Sequence, residues 1–458
     1  MMFRSSHVGF VGLIWLPLAA CKPQATSHDE QAVTTSSAAS TASAVAPSPS
    51  AASSAPSAAA TAEGTAAPYL PPPEASAAEA PPEAPRKAIG TFDDWVKGYQ
   101  GIGAPEADKK PPRLGLVKDL GLSSGRLAFT RSGDVFTYDF AKGAEAQLTR
   151  EAQRNVYPVF LGDGRRIAFL SNRDGMAWRV FLMNADGAEQ RPITRKFATW
   201  YNAGSWFAIT RDGSHVAYIA ASSGPPEGPP EELHLVDVAS GEDHRVGEPD
   251  FINYPAFSPK GDTLCVVAGG HDAEHLVSVD VATRRAQRLP DAGNHMFSGA
   301  RWLGERLLFS ASPTSSYCCR QSALYTTTPD GTSIRGFGSF WFGGSLYPEV
   351  SPKGTKLAVA WSVRQGANGA DYRNEISLVD ASGNLGRALT DAFPRPFYSA
   401  FNPAWAPDDH HLAFTLSLCP YVGCEPTIRS VVVVDTRDTK AVPAFVAYGG
   451  NASWSPVP

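Results

Sequence analysis

The 458-residue sequence predicts an all-β fold: a seven-bladed β-propeller, closed by pairing its last strand with its first, behind a disordered linker. Three observations predict it. The stretch "IAFLSNRDGMAWRVFLMNADG" (Ile167 to Gly187) alternates strand with tight polar turn, and a lone hairpin of that size is marginal in water, so it must pair with something larger. The stretch also recurs. "YPVFLGDGRRIAFL" from Tyr157 returns as "YPAFSPKGDTLCVV" from Tyr254, "YPEVSPKGTKLAVA" from Tyr347 and "NPAWAPDDHHLAFT" from Asn402, with weaker copies from Ala203 and Gly299. The period is roughly 45 to 50 residues with four short β-runs per unit, which is the pattern of a propeller blade. Finally, the ends of the repeat region are complementary fragments. "GRLAFTRSGDVFTYDFAKGAEAQLT" (Gly125 to Thr149) lacks a first strand, and "GGNASWSPVP" at the C-terminus is a first strand with nothing after it. Together they complete a blade.

In chain order, residues 1–20 read as an export signal: Arg4 gives a positive start and Val8 to Leu18 an apolar run too short to span a bilayer. The run ends in Leu18-Ala19-Ala20-Cys21, which resembles the lipobox of bacterial lipoproteins. That resemblance implies lipidation of Cys21 and a membrane anchor; an ordinary signal peptide with an incidental cysteine is the alternative. Lys22, where Asp would imply inner-membrane retention, points to the outer membrane. Residues 21–88 are almost entirely Ala, Ser, Thr, Pro and Glu and cannot bury enough apolar surface to order, so they read as a disordered tether. Residues 89–121 form a short pre-propeller segment, where Thr91 and Asp94 are spaced for the capping box of a short helix. Residues 122–458 are the propeller.

The motifs "SPKGDTL", "GDGRRIAFLSNRDG" and "VFLMNADGAEQRPIT" resemble the WD40-like repeats of the TolB β-propeller family over about Gly125 to Pro458. That family has six blades and a separate N-terminal α/β domain. Six blades is therefore the alternative count, and Ala88 to Gly121 hardly suffices for such a domain.

With strands a to d in each blade, the a–b and c–d connections share one face and the d–a and b–c connections the other. The first set, including "GDG", "RDG", "PKG", "NADG" and "TPDG", is turn chemistry. The second set gathers Trp200, Tyr201, Phe251, Tyr254, Phe297, Trp341, Phe342, Tyr347, Phe397, Tyr398 and Tyr448, with Arg154 and Arg395. Aromatics and arginine on loops over a rigid scaffold suit recognition, although about half of these rings are expected to plug seams between blades. The expected binding residues are Trp200, Tyr201, Phe251, Trp341, Phe342, Phe397, Tyr398 and Arg395.

Cys318, Cys319, Cys419 and Cys424 fall in b–c loops on the same face. A Cys419–Cys424 disulfide suits an exported chain; Cys318 and Cys319 pair with each other, stay reduced or cross-pair. Cys265 reads as a small buried apolar residue. His271 and His275 lie in a b–c turn rather than on a helix, so metal ligation is not expected, and His410-His411 reads as a solvated a–b turn. "SNRDGMAW" (Ser171 to Trp178) nearly matches the sialidase Asp box but reads as a turn. An α/β-hydrolase domain of the kind that follows the propeller in some serine peptidases is not expected, since the chain closes on the propeller. A net charge of -5 gives no sign of nucleic-acid attraction. The expectation is a monomeric envelope lipoprotein without cofactor that binds a protein or peptide, or a cell-wall glycan. It sits on the outer membrane facing the periplasm or the cell surface. An enzyme of hydrolase or lyase type at the propeller mouth, and a purely structural component, are the alternatives.

Overall fold

The computed structural model describes residues 114–457 except 151–153, 174–177, 196–206, 222–230, 251, 270–273, 291–295, 313–320, 344–345, 366–370, 390–397 and 419–427. The described residues form seven sheets around a ring. Blade 2 shows the plan: Asn155–Phe160, Arg166–Ser171, Arg179–Asn184 and Arg191–Pro192 run antiparallel in the order a, b, c, d. The inner strands of blades 3 to 7 are Phe207–Ile209, Ile252–Phe257, Met296–Leu303, Leu346–Val350 and Tyr398–Trp405. Blade 1 is closed as the two fragments require. Its inner strand Gly450–Trp454 lies beside Arg126–Arg131, with Leu127 opposite Trp454 and Ala128 opposite Ser453. The ring has seven blades, not six.

Alternating strand residues bury their apolar side chains between neighbouring blades, because a twisted sheet in a propeller hides both faces. The closing blade is held like the others. Trp454 stacks on Phe140 at 5.2 Å and donates its indole N–H to the Ala404 carbonyl of blade 7 at 3.1 Å. The same inner-strand slot gives Trp405 to Glu349 at 3.0 Å and Trp302 to Ala256 at 2.9 Å. A buried indole needs a partner, and here each partner is the preceding inner strand.

At the turn face, a–b turns of successive blades interlock. The Gly162 N–H donates to the Arg211 carbonyl at 2.6 Å, and a Cβ on Gly162 would stand 2.4 Å from that oxygen. Most of these turns place glycine in the left-handed region, as at Gly164, Gly213, Gly261 and Gly354. Blade 7 places Asp409 there instead, with φ 68. Its carboxylate accepts from the Lys353 N–H and the Thr355 hydroxyl of blade 6, bonds that a glycine does not offer and that offset the cost of an uncommon backbone.

Two expectations are corrected on this face. His411 is not a solvated turn residue. It is 4% exposed, with Nδ1 against the Asp408 carboxylate at 2.5 Å and Nε2 against the Leu120 carbonyl at 3.0 Å, so both ring nitrogens face acceptors. The pre-propeller segment also does more than precede the ring. Gly115–Leu116 adds a parallel fifth strand to Ala444–Tyr448 of blade 7, and the 3-10 turn Val117–Leu120 packs Leu120 into the seam between blades 7 and 1. Cys21, Thr91 and Asp94 lie outside the described residues.

Candidate functional site

Strand a runs from the d–a connection toward the turn face, so its first residues line the channel mouth on the d–a/b–c face. In blades 2, 4, 5, 7 and 1 the pairing of strand a with strand b slips by a bulge. The residue in the left-handed region at each slip is Tyr157, Tyr254, Gly299, Asn402 or Asn451. In blade 6 the same slot holds Tyr347, in regular pairing. A bulge in five blades is architectural, since it re-aims the inner strand. What changes from blade to blade is the side chain it carries.

Those side chains meet across the mouth. Tyr254 of blade 4 and Tyr347 of blade 6 approach to 5.8 Å between ring centroids. Two blades with a third between them touch only over its inner end, and there blade 5 has Gly299, which leaves the space open. Asn402 donates its amide to the Asn451 carbonyl oxygen at 2.5 Å. Tyr157 of blade 2 senses Arg429 of blade 7 across blade 1: burial raises its phenol above the ordinary tyrosine value, and the guanidinium charge opposes the rise. Arg429 also lies 5.5 Å from the centre of the Phe401 ring. The three tyrosines are half-buried, each packed on one side against an inter-blade core.

Two acidic residues near the mouth, Glu231 and Glu274, are occupied. In "EELHLVD", "EHLVSVD" and "NEISLVD" the residue six before the terminal Asp is Glu231, Glu274 or Asn374. This slot ties each blade to the start of the next inner strand. Glu231 accepts from the Ile252 N–H at 3.1 Å, Glu274 accepts from the Phe297 N–H at 2.7 Å, and the Asn374 N–H donates to the Ser399 hydroxyl at 2.9 Å. In "RSVVVVD" of blade 7 the slot holds Arg429. The Arg301–Glu349 pair, at 2.9 Å between inner strands of blades 5 and 6, neutralises itself deeper in the channel.

Of the expected binding residues, Trp200, Tyr201, Phe251, Phe397 and Arg395 lie outside the described residues, as do Cys318, Cys319, Cys419 and Cys424. Trp341 and Phe342 fall in strand Arg335–Gly343 and Tyr398 begins strand Tyr398–Trp405, with side chains outside the described set. Among the other aromatics of that face, Phe297 is a seam plug at 3% exposure and Tyr448 packs edge-on against Phe445. Cys265 is buried, and desolvation pushes its thiol up, out of reach of ionisation at neutral pH. Trp178 of the near Asp box is core, and Ser171 bonds Asn155 at 2.7 Å. Tyr157, Asn402, Asn451 and Arg429 were not among the expected residues. Their signal is the recurring Tyr-Pro or Asn-Pro pair that opens strand a, and the one basic residue in an otherwise acidic or neutral slot.

No protein-family model matches the sequence. The chain is similar to the uncharacterized peptidase YuxL of Bacillus subtilis, 26% identical over 210 residues, which are 39% of this chain and 31% of that protein. The match thus spans about a third of that relative's length. Among solved structures, that of two prolyl endopeptidases aligns with a TM-score of 0.50 at 12% identity, over 74% of this chain and 53% of that one. TolB from Acinetobacter baumannii aligns with a TM-score of 0.41 at 16% identity, over 72% and 82%.

Proposed function

We propose that the chain is a bacterial envelope lipoprotein whose propeller binds a protein or peptide segment at the channel mouth. The observation that carries the reading is the meeting of Tyr254 and Tyr347 over Gly299. Two half-buried phenol rings on a rigid inner wall offer large contact area at little entropic cost. Asn402 and Asn451 add amide groups matched to a peptide backbone. Peptide chemistry is also what the names of the similar Bacillus subtilis peptidase and of the two prolyl endopeptidases state for those proteins. The lipobox-like Leu18 to Cys21 supports an acyl anchor at Cys21 and the long Ala/Ser/Pro tract a tether. Gly115–Leu120 joins the propeller at the turn face, away from the mouth.

A photo-crosslinking residue at position 347 in the full chain, produced in its own envelope, tests this reading. A discrete adduct with an envelope protein is expected, lost on Tyr254→Ala. An adduct formed equally from exposed Lys260 on the turn face, or none from 347, overturns it. Cys21→Ser is expected to release the protein from the membrane fraction.

A further inference from the structure

We propose that the turn face holds, between blades 3 and 4, a site for an alkyl-ammonium group such as a lysine side chain or an aliphatic diamine carries. The site lies on the face opposite the mouth and does not depend on what the mouth binds. Three observations carry it.

The first is the slot that opens strand b at the turn face. In blades 1, 2, 5 and 6 it holds Arg126, Arg166, Arg306 and Lys356. Three of these long cations cross into the next blade: Arg126 donates to the Gly164 carbonyl at 2.5 Å, Arg166 to the Asp212 carbonyl at 3.1 Å and Lys356 to the Thr436 hydroxyl at 3.1 Å. Blade 4 has Thr263 in the slot, and Lys260 from the turn before it spans to Glu305 of blade 5 at 2.8 Å. Blades 3 and 7 have the shorter His215 and His411. In blade 7 another stretch of chain moves in, and Nε2 of His411 meets the Leu120 carbonyl at 3.0 Å. In blade 3 the space stays open.

The second is that space. A cavity of about 110 Å³ lies in the seam between blades 3 and 4. Leu235 and Val281, members of the seam core, line it together with His215, Asp237, Glu242 and Arg284. His215 stands opposite Asp237 in the pairing of strands b and c, and the Asp237 N–H donates to the Glu242 carbonyl at 2.9 Å. The three side chains therefore form a row across the blade, on the side that faces blade 4. Apolar walls under a polar rim suit a methylene stem with a charged head.

The third is the state of the rim. The Ser214 hydroxyl donates to the Asp212 carboxylate at 2.8 Å, so at 2.9 Å it accepts from Nδ1 of His215. In the neutral ring the lone pair is then on Nε2. That nitrogen faces Oδ2 of Asp237 at 3.8 Å, beyond hydrogen-bond length. The Ser240 N–H and hydroxyl bond Oδ1 and hold this carboxyl below the ordinary range. Two acceptors thus converge without a donor between them, and an ammonium brings three N–H groups. Glu242, shared by His244 at 3.2 Å and Arg284 at 3.6 Å, makes the balance two carboxylates to one guanidinium. Among the described residues no three metal-ligating side chains meet at one point, and the apolar floor favours an organic cation over a metal ion.

The test is a ligand-observed NMR titration of the full chain with Nα-acetyl-lysine methylamide, with cadaverine and, as the uncharged match, with the same lysine derivative acetylated at Nζ. Both amines are expected to bind and the acetylated form not to bind. Tighter binding of the lysine derivative assigns the site to a side chain of a protein partner, and tighter binding of cadaverine assigns it to a free amine. Asp237→Asn is expected to weaken binding about tenfold, and Glu242→Gln by less. His215→Arg supplies the cation that the sister blades carry, so it is expected to abolish amine binding without lowering the melting temperature. Absence of amine binding, equal binding of charged and acetylated forms, or undiminished binding by a folded His215→Arg or Asp237→Asn protein overturns the inference. Zinc binding that is lost in His215→Arg, with no amine bound by the wild type, overturns it too, since the imidazoles then hold a metal.

Discussion

The two faces of the ring are built from the same repeat and treat it in opposite ways. At the turn face, Gly-bearing turns recur from blade to blade and bond their neighbours in places, as Gly162 does to Arg211 and Asp409 to Lys353 and Thr355. At the mouth, one backbone device, the inner-strand bulge, carries three kinds of residue over five blades: tyrosine, tyrosine, glycine, asparagine and asparagine. Repetition closes a ring, because each blade is stable only against copies of itself. Variation on a fixed backbone makes the two halves of the mouth chemically unlike each other. Even the exception on the turn face obeys the contrast, since Asp409 departs from glycine only to bond the next turn.

The contrast breaks hardest at the seam of the ring. Removing residues 450–458 takes away the inner strand of blade 1 and the Trp454 contacts, and cooperative thermal unfolding is expected to be lost. Trp454→Ala alone is expected to cost about 3–5 kcal/mol in chemical denaturation. A turn-face change comes next. Gly162→Ala pushes a methyl into the Arg211 carbonyl and is expected to cost about 1–3 kcal/mol, measured by the same denaturation. His411→Ala leaves the Leu120 carbonyl and the Asp408 carboxylate without the ring. It should cost about 1–3 kcal/mol, with new proteolytic cleavage between residues 114 and 122. An uncleaved variant would show that the segment is held by Gly115–Leu116 pairing alone.

Mouth substitutions sharpen the comparison from the other side. Tyr254→Ala with Tyr347→Ala removes half-buried rings, so a stability loss of about 1 kcal/mol each is expected, against loss of the crosslinked or peptide ligand. A larger loss of stability with unchanged binding would make the rings seam plugs. The smallest effect belongs to pH. The Asp212 carboxyl is held down to about 2, first by the Ser214 N–H and then by the Thr210 hydroxyl. A depressed folded value contributes stability above the unfolded value near 3.8 and loses it as pH falls toward 2. Asp212→Asn should therefore lower the melting temperature slightly at neutral pH, and the difference should close between about pH 4 and pH 2. A difference that persists at pH 2 would assign the loss to the turn's geometry instead.

Much of the fold was legible because its determinants are local. The strand–turn alternation from Ile167 to Gly187, its recurrence from Tyr254 and Tyr347, and the unmatched strand "NASW" need only near neighbours to be read. The glycine turns were legible for the same reason. His411 was misread because its partners are Asp408, three residues away, and Leu120, which lies 291 residues away in sequence. No pattern around "DDHH" reports the second. The pre-propeller strand escaped for a like reason, since two residues, Gly115 and Leu116, carry no periodicity.

The candidate site divides along the same line. That aromatic residues gather toward one face followed from the order of the strands, which is a property of the sequence. Which of them touch did not. Phe297 went into a seam, Tyr254 found Tyr347 over a glycine in the blade between, and Arg429 came over the Phe401 ring. The sequence by itself determined how many blades there are and how they close, because six blades are each encoded by a contiguous stretch and the seventh by two complementary end fragments. Only the tertiary structure decided which side chains share the mouth. Ring closure sets distances between residues far apart in the chain, and no local preference records them.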